Sequence, residues 1–323
     1  MKAFKYAALG LAVFLGVSTL GLVAFKLHLN ATYFEGYDPS APLDPAVTDV
    51  KEMPEANPAY VRVALDFNGL HGKRVPTLLA LPLDAAGRLP CVIFLHGIGQ
   101  KKDFLDEIAA PFTQAGFAFC SFDQHMCGER KRKYKNILQE GRAFLQRPAY
   151  TVNDTRRLID YLQTRPDVAW DRIYLVGASY GAITGSTAAA FDERIRAVGL
   201  VYGGGNVRQM LTARAVAKEI GGWLPLAQVL GVYLLGQADP VKYAGQIAPR
   251  PVLLQNGTDD CLIATKSAVA LQNAVREPKT IKWYEGDHIG FDRDTVITVL
   301  NEVLAFIKEQ DAKITGNASK AAA

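Results

Sequence analysis

The run Ile173-Tyr174-Leu175-Val176-Gly177-Ala178-Ser179-Tyr180-Gly181 passes from four unbroken apolar residues into a Gly-x-Ser-x-Gly pentapeptide, and a helical stretch follows directly. Continuous apolarity without alternation is the pattern of a strand buried on both faces. A serine at the sharp turn from such a strand into a helix is held in a strained backbone with its hydroxyl exposed. Side chains two residues before and after it would collide, which calls for glycine at 177 and 181. The pentapeptide alone is also what a Gly-rich turn produces by chance. Its place between strand and helix makes it a candidate nucleophile turn.

Working outward, strand and helix patterns alternate. Upstream lie CVIFLHG (91–97), the helical KDFLDEIAAPFTQAG (102–116), FAFCSFD (117–123) and a helix from about Tyr150 to Thr164. Downstream come a helix after Tyr180, IRAVGLVYG (195–203), PVLLQNG (251–257), a helix through Ala264 to Val275, TIKWYEG (280–286) and a last helix from about Asp292 to Lys308. The alternation predicts an α/β fold, a mostly parallel doubly wound sheet with helices on both faces. In such sheets function gathers at the C-terminal strand ends. Two earlier apolar runs, Tyr60 to Phe67 and Pro76 to Leu83, flank Asn68-Gly69-Leu70-His71-Gly72 and read as a hairpin. The stretch 203–246 is too long for a simple connection and carries Met210, Leu211, Trp223, Leu226, Val229 and Leu230 among its apolar residues. It reads as a helical cap whose apolar side chains pack onto the sheet, some of them lining an apolar acyl pocket.

A serine hydroxyl needs a base within hydrogen-bond reach, and the base needs an orienting carboxylate. Of the five histidines, His288 lies on the loop after the last predicted strand, in WYEGDHIGFD, and is the expected base. The segment QNGTDDCLI offers Asp259 and Asp260 at a strand end, between the serine and the histidine in chain order. Spacing does not separate the two; the other would form the turn. Two backbone N–H groups must also face the developing oxyanion. Tyr180 supplies one, and Ile98, in the turn His96-Gly97-Ile98-Gly99 after CVIFL, supplies the other. His96 reads as a structural residue of that turn rather than a second base.

Together these features resemble the α/β-hydrolase superfamily over about residues 60–310, through the H-G-x-G turn at 96–99, the serine turn at 177–181, the acid loop and the terminal histidine. In that superfamily the acid is often preceded by a glycine three residues back and followed three residues on by a β-branched residue. Gly257, Asp260 and Ile263 match, so the resemblance favours Asp260. FDQHMCGER (122–130) is similar to a D-x-x-G-x-G-x-R loop of the dienelactone-hydrolase-like, acetyl-esterase and prolyl-oligopeptidase-like branches, with Met126 where the first glycine would stand. Ala182 is a second, minor departure. The resemblance implies a serine hydrolase, foremost a carboxylic ester hydrolase acting on a small ester or acyl substrate through an acyl-enzyme on Ser179. Prolyl-oligopeptidase-like peptidase or amidase, thioesterase and acyltransferase activities share the same residues. A catalytically silent binding protein on this fold is the rival from another class. No cofactor and no metal are expected.

The composition adds topology. The chain of 323 residues has 36 Lys plus Arg and 32 Asp plus Glu, but Lys2, Lys5 and Lys26 belong to an N-terminal segment without acidic residues. Setting them aside leaves 33 against 32, a near-neutral body that argues against nucleic acid as a partner. Tyr6 to Phe25 is a stretch of 20 residues without charge, long enough to cross a bilayer. Residues 1–30 therefore read as a membrane anchor or a signal segment, with the lysines ahead favouring a cytoplasmic N-terminus and a body on the exported, periplasmic or extracellular, side. Residues 31–59 read as a Pro-rich linker, 60–310 as the hydrolase domain and 311–323 as a flexible tail. The cysteines at 91, 120, 127 and 261 show no metal spacing, and export would permit a bridge between Cys127 and Cys261. Arg130 to Lys135, RKRKYK, places five positive charges in six residues. It reads as a solvated face or as a site for an anionic substrate group or anionic lipid headgroups.

Overall fold

The computed structural model describes residues 2–84, 87–290 and 293–321. Contacts divide the chain into two units, Met1–Glu35 and Gly36–Ala323. The first is helix α1 (Lys2–Thr32), whose segment Val13–Thr32 is long and apolar enough to cross a membrane and is not buried against protein.

The second unit is built on a sheet of nine strands: β1 (Ala46–Met53), β2 (Tyr60–Asn68), β3 (Arg74–Pro82), β4 (Leu89–Leu95), β5 (Ala118–Phe122), β6 (Val168–Ala178), β7 (Ile195–Val201), β8 (Val252–Gly257) and β9 (Lys279–Tyr284), in the order β1-β2-β3-β5-β4-β6-β7-β8-β9. β1, β2 and β3 pair antiparallel and β3 joins β5 antiparallel. β5 through β9 are parallel, as the unbroken apolar runs predict. Helices α2 (Leu105–Gln114), α3 (Ile137–Thr164), α4 (Tyr180–Phe191), α8 (Thr265–Ala274) and α9 (Arg293–Ala321) connect and cover these strands, and α5 (Val207–Met210), α6 (Arg214–Ile220) and α7 (Leu224–Leu235) form the cap between β7 and β8.

Phe94, Phe119, Tyr174 and Val176 of the sheet form one core with Phe112 of α2 and Val299, Val303 and Ile307 of α9. α3 and α4 pack on each other and on β6. The chain leaves β4 towards β5 and returns past it to β6, so the connections after β4 and β6 diverge to opposite faces. Such a reversal opens a crevice at the carboxyl ends of the two strands. The turn at 96–99 and the serine at 179 stand on its two sides.

Four expectations require correction. Residues 31–59 are not a free linker: 46–53 form β1, with a register shift between Val47 and Asp49, and Arg157 donates to the carbonyls of Asp38 (3.0 Å) and Ala41 (2.6 Å). β1 is an exposed edge strand rich in charge, so its pattern mimics a linker. α3 begins at Ile137 rather than near Tyr150, running through Pro148, which the sequence reading takes for a boundary. The tail is helical as far as Ala321, and Asp311 bonds Arg172 and the Tyr174 hydroxyl. The predicted start of α9 at Asp292 lies outside the described residues. The cap helices α6 and α7 contain no fully buried residue; α7 packs chiefly on α5 rather than on the sheet.

Candidate active site

β6 delivers Ser179 to the crevice with φ +55° and ψ −117°, a region that L residues avoid, and its N–H is fixed to the Val201 carbonyl at 2.8 Å. The two glycines explain how this strain is accommodated. A Cβ on Gly177 would lie 2.2 Å from the Gly181 carbonyl oxygen, and one on Gly181 would lie 1.9 Å from that of Leu95. Across the crevice, a Cβ on Gly97 would stand 3.5 Å from that of Ser179, so the turn after β4 lies against the serine. Tyr180 opens α4, where the first N–H groups have no partner within the helix. Ile98 is exposed, at 57%.

The turn itself is braced from below. Gly97 N–H donates to Gln100 Oε1 at 2.8 Å. His96 is fully buried, with Nδ1 bonded to the Gly97 carbonyl at 2.9 Å, and the Gln124 amide donates to the His96 carbonyl at 2.7 Å. Burial holds the His96 pKa below the usual imidazole value, so it stays neutral and structural. The loop after β5 that carries Gln124 is knitted by Asp123, whose carboxylate accepts from the N–H groups of Lys102 and Glu129. Gly128 lies so close to that carboxylate that a Cβ would collide with it at 2.1 Å. Met126 takes φ +68° although it is not glycine, so the departure from the glycine pattern is accommodated as strain.

On the other side of the site, Asp260 accepts two backbone bonds on Oδ1, from Leu262 and Ile263, each 2.8 Å, and bonds His288 Nδ1 through Oδ2 at 2.7 Å. Both side chains are buried. The Tyr202 ring stands edge-on to His288 with centroids 5.7 Å apart. It directly follows Val201, the acceptor of the Ser179 N–H. Asp259 is exposed and does not touch the histidine among the described contacts. Asp287 bonds the N–H groups of Cys261 and His288, each at 2.7 Å, and the Cys261 N–H holds its pKa below the usual carboxylate value. A cavity of about 250 Å³ adjoins His288, lined by residues of the 285–290 loop and Thr295. Among the described residues, no hydrogen bond joins Ser179 Oγ to His288, and no group of three or more His, Cys, Asp or Glu could hold a metal.

Sequence reasoning missed Arg147. It is buried, donates to Cys127 Sγ at 2.9 Å and lies over the Tyr180 ring at 4.3 Å, with Nε unpartnered. Among the described residues it makes no ion pair, so an uncompensated positive charge stands beside Tyr180. It sits on the part of α3 that the sequence reading leaves outside the helix. All four cysteines are free thiols, so Cys127 and Cys261 are not bridged; Cys127 is buried against Arg147. Arg130 is buried and bonds Asp154 at 2.7 Å, which removes it from the exposed basic run.

The sheet order, the serine turn at the end of β6 and the crevice define an α/β-hydrolase-fold protein. Comparisons agree. A family model described as "Serine aminopeptidase, S33" matches residues 88–235. The protein YtaP of Bacillus subtilis (strain 168) is 29% identical over 154 residues, 41% of this chain and 48% of YtaP, so the match spans about half of that relative. Esterase YjfP of Escherichia coli (strain K12) is 24% identical over 216 residues, 63% of this chain and 82% of YjfP. The crystal structure of acetyl xylan esterase 1 from Thermoanaerobacterium sp. JW/SL YS485 superposes with a TM-score of 0.65 at 20% identity, covering 86% of this chain and 93% of that one.

Proposed function

We propose that the chain is a serine hydrolase acting on small carboxylic esters, with Ser179, His288 and Asp260 as its catalytic residues. The observation that carries this reading is Ser179 itself, strained at φ +55° between two glycines that admit no Cβ, at the start of a helix. Asp260 accepts from Nδ1–H of His288, leaving Nε2 to receive the serine proton. Ser179 Oγ then bonds the acyl carbon, and the carbonyl oxygen takes the negative charge facing the N–H groups of Tyr180 and Ile98. The imidazolium returns its proton to the leaving alkoxide; water, deprotonated by His288, releases the acid and restores the serine. No cofactor or metal enters these steps.

Esterase names among the relatives support the ester reading, whereas the family description favours a second one, cleavage of an amino-terminal peptide bond by the same residues. Turnover of p-nitrophenyl acetate against an aminoacyl p-nitroanilide separates the two. Ser179→Ala should abolish turnover, and labelling by a fluorophosphonate, while leaving the circular dichroism spectrum unchanged. Turnover retained in that variant would refute the assignment, and an unlabelled, inactive wild-type chain would favour a silent binding protein. α1 is read here as a membrane anchor, with the body on the exported side; alkaline carbonate extraction from membranes tests it, release into the soluble fraction being the contrary result.

A further inference from the structure

α3 begins well before it meets the sheet. Residues 136–142 are all exposed, and its side chains are buried in unbroken series only at 149–155. Its first turns, Ile137 to Arg142, therefore stand clear as a prong, about 8 Å long at 1.5 Å per residue, before Ala143 and Arg147 turn inward. At its tip Lys131, Arg132, Lys133 and Lys135 are exposed, with no acidic residue between 130 and 139. Among the described residues none of these four makes an ion pair, whereas Arg130 of the same run is taken inward by Asp154. Ile137 and Leu138, next to the cations, are 83% and 80% exposed. Phe144, seven residues after Ile137 and so on its face of the helix, is exposed too.

A second exposed apolar element leaves the same edge of the sheet. The prong follows the carboxyl end of β5 and the cap follows that of β7, three strands away in a parallel array, about 14 Å at 4.8 Å per strand. From Ile220 to Ala238 the cap has no charged residue, and Trp223, Leu226, Val229 and Leu230 are exposed.

We propose that this edge docks on the surface of an anionic phospholipid bilayer, the four cations on headgroup phosphates and Ile137, Leu138 and Trp223 in the interfacial layer beneath. Cations beside large apolar side chains, with a tryptophan at the rim, are what such an interface selects. A nucleic acid would match the cations and leave the apolar residues uncovered. A symmetric second copy would cover them but bring no acidic residue to the cations from 130–139 or 220–238, which hold none. The bilayer satisfies both, and α1 would keep one near; the proposal borrows only that nearness from the anchor reading.

The full chain carrying Trp170→Phe and Trp283→Phe keeps Trp223 as its sole tryptophan. It is reconstituted, one copy per disc, in nanodiscs of phosphatidylcholine with or without phosphatidylglycerol, each with brominated acyl chains. Docking predicts blue-shifted, quenched Trp223 emission in the phosphatidylglycerol discs, reversed by salt. Neutralising Lys131, Arg132, Lys133 and Lys135 to Gln, with the Arg130–Asp154 pair left intact, should lower the docked-to-undocked ratio roughly fivefold per cation. Unquenched emission from chains retained in the discs overturns docking and spares the anchor. Retention on phosphatidylglycerol discs alone supports docking and overturns the anchor. Equal quenching in both lipids, indifferent to the quadruple variant, overturns the role of the cations, and quenching only in discs holding two copies assigns the face to a dimer.

Discussion

The two sides of the crevice are held by different physics. On the serine side the backbone is fixed by exclusion: Gly177 and Gly181 press on carbonyl groups with no room for a methyl, and Ser179 takes a strained conformation as a result. On the histidine side the loops are fixed by attraction, through Asp260 and Asp287, each accepting several bonds at 2.7–2.8 Å. Exclusion tolerates no substitute, and it leaves a mark in the sequence as obligatory glycine. Attraction leaves a set of acidic residues whose roles separate only once their bonds are placed.

The sharpest way to break this contrast is Gly181→Ala, with Gly99→Ala as its control. Gly99 has a positive φ, +81°, which helical Gly181 does not, and nothing lies within 4 Å of its missing Cβ, so the pair sets collision against strain. Gly181→Ala should lose more than about 4 kcal/mol or fail to fold, and Gly99→Ala about 1–2 kcal/mol from backbone strain alone, read from urea unfolding midpoints. Similar losses would mean that the collision at Gly181 costs no more than backbone strain does at Gly99, and that exclusion does not hold the serine side. Next in size is the acid pair: Asp260→Asn should lower kcat about 10³- to 10⁴-fold, while Asp259→Asn changes it less than about tenfold. Comparable losses would place the orienting carboxylate elsewhere.

A further test concerns pH. His125 stacks on Tyr150 with centroids 4.2 Å apart. Burial first, then the charges of Arg130, Lys73, Arg147 and Arg132, push its pKa down from 6.5 to about 3. The unfolded chain therefore binds this proton before the folded one does. Stability should fall as pH drops from about 6.5 towards about 3, and His125→Gln should flatten that part of the profile. An unchanged slope would show that the serine side carries no such electrostatic load.

The parts of the fold legible in the sequence are those with a strong local rule. Unbroken apolar runs marked β4 to β8, and the glycines bracketing Ser179 marked the turn. Bottom-up spacing left Asp259 and Asp260 equal, because both follow the same strand. The resemblance favours Asp260, and of the two only Asp260 is buried and bonded to His288. β1 escaped notice because an edge strand is solvated like a linker, and the early part of α3 because Pro148 mimics a boundary. With it went Arg147, whose position under Tyr180 depends on a helix the pattern did not reveal. The cap departs in the opposite sense: its apolar content signals burial, and the structure leaves Trp223, Leu226, Val229 and Leu230 exposed.

Asp311 offers a last consequence, for anyone shortening or fusing the chain. Its carboxylate grips Arg172 and the Tyr174 hydroxyl midway along the strand whose end bears Ser179. Cutting the chain at 310 would strand a buried phenol without its acceptor, an omission worth about 1–3 kcal/mol. The closing residues act as a clasp across the middle of the central strand, and a tag belongs beyond them.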